Sequence, residues 1–118
     1  MTKQEYIDSV SKYPENKDRI TEISNLYGSK INGIIAKIIS FADQADFIGE
    51  ERRALSYNEI LNAPKEYDTN FKELGIIPII DAYDNDFIVY IIGEKVWAKF
   101  SLSDEVLFKR RRTLEERL

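Results

Sequence analysis

The sequence predicts an α+β domain: N-terminal helices, then a mainly antiparallel sheet of about four to six strands, then a short C-terminal helix. Three observations carry that reading. Apolar residues recur at helical spacing in the first third of the chain, apolar runs separated by short turns fill residues 76–101, and a capping motif reopens a helix at Thr113. Helices followed by strands is the order of α+β rather than of alternating α/β. The chain has 118 residues, with no internal repeat and no Gly/Ser-rich linker, so residues 1–118 read as one domain.

The elements follow in order. Thr2-Lys3-Gln4-Glu5 is a capping box, Tyr6, Ile7, Val10 and Tyr13 form the stripe of a first helix, and Pro14 ends it. Asn16 caps a second helix with Ile20, Ile23, Leu26 and Tyr27 on one face and Gly28 as its stop. Ile34, Ile35, Ile38 and Ile39 share a helical face with Lys37 opposite, so residues 31–41 read as a third helix. Asp46–Ile48 and Arg52–Leu55 read as short strands. Ser56 and Glu59 form a second capping box, opening a helix that stops at Ala63 before Pro64. Lys65–Gly75 reads as a loop with room for one helical turn.

Ile76–Asp81, Phe87–Ile92 and Val96–Ser101 then read as strands, joined by the turns Asp84-Asn85-Asp86 and Gly93-Glu94-Lys95. Connections this short make an antiparallel meander. Phe87–Ile92 is apolar throughout, which predicts a central strand covered on both faces. Glu105–Arg110 is a candidate further strand, and Thr113 to Glu116 opens the last helix, ending at Leu118.

Composition narrows the chemistry. The chain has no cysteine and no histidine, so disulfides, thiolate–zinc sites and Ser-His-Asp or Cys-His catalysis are excluded within it. No apolar run approaches the ~20 residues of a membrane span, and the polar N-terminus lacks a signal-peptide core. A cytoplasmic location is expected. Formal charge is −4, unevenly spread. Residues 41–94 carry four basic and twelve acidic groups, whereas residues 95–118 carry seven basic and four acidic ones. An acidic middle attracts a basic partner and repels nucleic acid, although the same acids also suit solvated loops.

Asp81, Asp84 and Asp86 are the densest carboxylate cluster. Their spacing lacks the glycine and distal glutamate of a calcium loop, so a hairpin turn is the simpler reading, with a cation site or carboxylate-dependent hydrolase as the remote one. No Gly-rich phosphate loop is present. Lys109-Arg110-Arg111-Arg112 is short and lacks interleaved aromatics, so nucleic-acid binding is not expected. If Ala98 and Phe100 face the core, Trp97 faces the other side. There it either lies under a helix or, if exposed, anchors an interface. The candidate partner contacts are Glu50, Glu51, Tyr83, Asp84, Asp86 and Trp97. No catalytic residue, metal ligand or cofactor site is assigned.

Residues 45–118 carry Leu55-Ser56 before a short helix, a strand with an internal proline at Ile77-Pro78-Ile79, Asp86 before Phe87–Ile92, the aromatic strand Val96–Phe100, and a final helix at Leu114–Leu118. In that order these segments resemble the SUKH superfamily of bacterial immunity proteins and Smi/Knr-type regulators of cell-wall assembly. The resemblance implies a sheet flanked by helices and no enzyme activity. It also implies a protein partner, in many relatives a cognate toxin, often a nuclease, neutralised by stoichiometric binding. A regulatory or scaffold interaction module is the alternative it leaves open. With Phe87–Ile92 central the sheet edges are unassigned, so monomer and edge-paired dimer both stay open.

Overall fold

The computed structural model describes all 118 residues as an α+β fold. Helices α1 (Lys3–Lys12), α2 (Lys17–Tyr27) and α3 (Ile34–Phe41) come first. Strand β1 (Arg53–Ala54) and helices α4 (Tyr57–Glu66) and α5 (Phe71–Leu74) follow. The meander is β2 (Ile76–Asp81), β3 (Asp86–Ile91), β4 (Val96–Ser101) and β5 (Val106–Arg111), and α6 (Leu114–Arg117) closes the chain. The sheet is five-stranded and antiparallel throughout, in the order β1-β2-β3-β4-β5. The apolar strand β3 is central, as its composition requires. No helix is long and apolar enough to cross a membrane.

The caps work as their residue types predict. In both α1 and α4 the N-cap hydroxyl accepts the N3 amide while the N3 glutamate accepts the N-cap amide. Asn16 caps α2, and Gly28 ends it in the left-handed region at φ 72°, with the Gly28 amide donating to Ser24 O. Lys37, opposite the isoleucine face of α3, donates from Nζ to Tyr13 O at the C-terminal end of α1.

Several boundaries differ from expectation. The segment 46–48 is not a strand; it contributes a single bridge, Phe47 to Arg53. The strand expected over Arg52–Leu55 shortens to the two residues of β1. Pro78 supplies the reason. It has no N–H, and an extra residue, Ile79, bulges between the pairs Pro78–Val89 and Ile80–Ile88, so β1 aligns only with Ile80 and Asp81.

Helix α4 does not stop at Ala63 but runs through Pro64 to Glu66. A helix-interior proline leaves the carbonyl four residues earlier without its amide donor. Here that carbonyl is Ile60 O, and the buried Tyr27 hydroxyl of α2 donates to it at 2.9 Å. The remaining loop before the meander contains α5, capped by the Asn70 side chain on Glu73 N.

Cross-strand partners share a face of the sheet. One face carries the rows Ile77–Tyr90–Trp97–Arg111 and Ile80–Ile88–Lys99–Phe108. There Trp97 packs against Tyr90 with ring centroids 4.7 Å apart. Ile7 of α1, Ile34 of α3 and Leu114 of α6 meet around it. The other face carries Phe87–Phe100–Leu107 and Val89–Ala98. Tyr67 at the C-terminal end of α4 packs on Phe87 at a tilt, ring centroids 5.1 Å apart, and Phe71 of α5 meets Phe100 edge-on at 5.9 Å. Both faces are therefore covered, and Ile76–Ile80 are all buried.

Candidate protein-binding surface

An antiparallel meander places alternate turns at the same end of the sheet. The β2–β3 and β4–β5 turns therefore lie side by side, joined by Leu102 N donating to Asn85 O at 2.8 Å. Strand β1 brings the preceding loop to the same end, because Arg53 is aligned with Asp81. Three loops thus gather Glu50, Glu51, Tyr83, Asp84, Asp86, Asp104 and Glu105 at one end of the sheet. The opposite end, at the β3–β4 turn, carries Glu94 paired with Arg110 at 3.2 Å.

The β2–β3 turn is tight for its residues. Tyr83, Asp84 and Asn85 all adopt left-handed backbone, at φ 65°, 52° and 63°. Asp and Asn tolerate that region, whereas a tyrosine is strained there by about 1–2 kcal/mol. Local bonds hold the turn: Asp81 Oδ1 accepts from Tyr83 N at 2.8 Å and Asp86 N donates to Tyr83 O at 2.9 Å. The Tyr83 side chain is 40% exposed beside the acids.

Asp81 is occupied. Besides the Tyr83 amide, its carboxylate lies 3.6 Å from Arg53, whose guanidinium forks onto both oxygens of Glu59 at 2.9 Å. The Arg53 fork, opposed by partial burial and helped by the Ser56 amide, holds Glu59 below the usual carboxylate range. Burial, followed by the charges of Asp81, Glu59 and Glu66, pushes the Tyr67 hydroxyl up. With Asp81 turned to Arg53, the three aspartates of this turn do not converge on a cation, and no group of acids in the structure is arranged as a metal cage. Glu50, Glu51, Asp84, Asp86, Asp104 and Glu105 form no ion pair. Cations lie close by without pairing: Lys3 and Arg52 line a cleft with Glu50 and Glu51, Lys99 lies near the half-buried Asp86, and the Met1 ammonium donates to Phe47 O, so the end keeps an acidic excess rather than a purely negative field.

Of the six contacts read from the sequence, five share this end and one does not belong to a surface. Trp97 is 2% exposed, closed over by α1, α3 and α6, and is withdrawn as a contact. Asp104 and Glu105 were missed, although the meander pattern contained the signal: the first and third turns of four consecutive antiparallel strands must coincide. Phe47, 52% exposed in the same loop system, adds an apolar element to the acidic end.

Cavities are shallow. A cleft of about 360 Å³ lies between Lys3, Ile48, Glu50, Glu51 and Arg52, beside the acidic end. The largest, about 550 Å³, lies along α2 and the loop after it, where Lys30 is its one titratable side chain. Neither presents a facing pair of carboxylates with a buried partner, as acid–base chemistry requires.

No family model, no curated protein and no solved structure matches the chain.

Proposed function

We propose that this chain is a non-catalytic protein-binding domain acting in the cytoplasm, an immunity protein that neutralises a cognate bacterial toxin by one-to-one binding. The observation that carries the reading is the acidic end of the sheet: six carboxylates from three loops, none in an ion pair, framing the exposed Tyr83 and Phe47. A nuclease holds its substrate phosphates with cations, and a rigid acidic surface with aromatic anchors is complementary to such a site. The SUKH-like order of motifs in residues 45–118 supports the same reading.

The test is a pull-down and inhibition assay with the toxin domain encoded beside this gene. A one-to-one complex that abolishes toxin activity is expected. The neutralised variant Glu50→Gln/Asp84→Asn/Asp86→Asn associates at least tenfold more slowly at low salt, and the difference narrows toward 0.5 M salt as screening rises. No complex at micromolar protein and low salt rejects the proposal.

A further inference from the structure

Beyond that reading, we infer that the outer edge of β5 is a self-complementary interface that pairs antiparallel with the same edge of a second copy of this chain, extending the sheet across a two-fold axis. The sheet has two edges. At β1 the edge is two residues long and the bridge to Phe47 covers part of it. At β5 it is six residues long, with β4 as its sole strand neighbour. An uncovered edge presents a row of backbone donors and acceptors without partners.

Part of that row is already used. Two residues of β5, Lys109 and Arg110, stand opposite Ala98, which makes a bulge with Lys109 in left-handed backbone at φ 53°. The Arg117 side chain of α6 donates to Lys109 O, and Arg111 donates to Arg110 O. The open stretch is therefore Val106–Phe108, apolar along its length, with Val106 51% exposed.

The charges on either side of this stretch select the occupant. Asp104 and Glu105 precede it, and Lys109, Arg110, Arg111 and Arg112 follow it. Lysine and arginine on an edge ordinarily discourage pairing with another strand. A second copy laid antiparallel is the exception. With the axis at Leu107, Glu105 meets Lys109 of the second copy and Asp104 meets its Arg110, which exchanges its exposed pair with Glu94 for this one. A shift of one residue pairs the same acids with Arg110 and Arg111. Two-fold symmetry repeats every pair, so four opposite-charge pairs flank an apolar centre. A parallel alignment would stack the basic runs on each other. The contact is small for a stable dimer, which places the association in the weak range.

Sedimentation equilibrium on the full chain, from roughly 10 μM to 1 mM, reads the result. The wild type is expected to shift from monomer to dimer within that range. Asp104→Lys/Glu105→Lys is expected to weaken association at least tenfold, and adding Lys109→Glu/Arg110→Glu, which reverses the other member of each pair, is expected to restore it. The emission of the buried Trp97 checks that each variant is folded. A wild type that stays monomeric at 1 mM overturns the inference. So does a dimer indifferent to the first pair of changes, or a loss that the reversed ends do not restore. Because Asp104 and Glu105 also belong to the acidic end, toxin binding is read separately, on the wild type and on the Glu50→Gln/Asp84→Asn/Asp86→Asn variant, which leave this edge intact.

Discussion

Tyr27→Phe is the most informative single change, because it removes one oxygen whose only structural duty is to replace a missing amide. In α4, Pro64 cannot donate to Ile60 O, and the Tyr27 hydroxyl does so at 2.9 Å. Phenylalanine keeps the ring and its packing but leaves a buried carbonyl with one acceptor unpaired. An orphaned buried acceptor costs about 1–3 kcal/mol. At about 4 °C per kcal/mol for a domain of this size, the melting temperature falls by roughly 4–12 °C. The decisive arm is Pro64→Ala, which returns an N–H at position 64. In that background Tyr27→Phe should cost at least about 1 kcal/mol less, a coupling resolvable in a double-mutant cycle by urea denaturation. Equal costs in both backgrounds would refute the account of how α4 survives its proline.

Other expectations follow from the same geometry. Glu59→Ala removes the Arg53 fork and half a capping box, and should cost about 1–2 kcal/mol at pH 7. Glu59 titrates below its reference value of 4.5 in the folded chain, so its stabilisation is complete above that pH and disappears as pH falls through the folded value; the variant's deficit, followed by denaturant titration, should shrink toward pH 3. Trp97, the one tryptophan, should emit at short wavelength and resist acrylamide quenching, and Trp97→Ala should cost about 3–5 kcal/mol by denaturant unfolding. Lys95 sits at φ 56° in the β3–β4 turn, so Lys95→Gly should raise stability by about 0.5–1 kcal/mol in a thermal melt.

The parts legible in the sequence are those decided locally. Both capping boxes, the glycine stop of α2 and the central place of Phe87–Ile92 depend on residues within one or two turns of each other. What escaped was decided at a distance. The local rule that proline ends a helix fails at Pro64 because a tyrosine 37 positions earlier in the chain supplies the lost bond. Period-two alternation puts Trp97 on the face away from Phe100, but only the docking of α1, α3 and α6 buries it. The acidic end shows the same division. Tyr83, Asp84 and Asp86 stand out as turn residues, whereas the company of Glu50 and Glu51 depends on β1 aligning with Asp81. Asp104 and Glu105 required recognising that both belong to the turn that opens at Leu102 and that the strand starts only at Val106.

The layout also sets an order of events during synthesis. Helix α3 buries Ile35, Ile38 and Ile39, yet the strands it helps to cover are translated more than thirty residues later. Until β2 to β4 leave the ribosome, that sticky segment has only α1 and α2 to shield it. The nascent chain therefore passes through a stage in which its most apolar helix depends on its two neighbours or on a chaperone. Once the late hairpins zip up, built as they are from pairings between strands consecutive in the chain, they supply the surface that the early half has been waiting for.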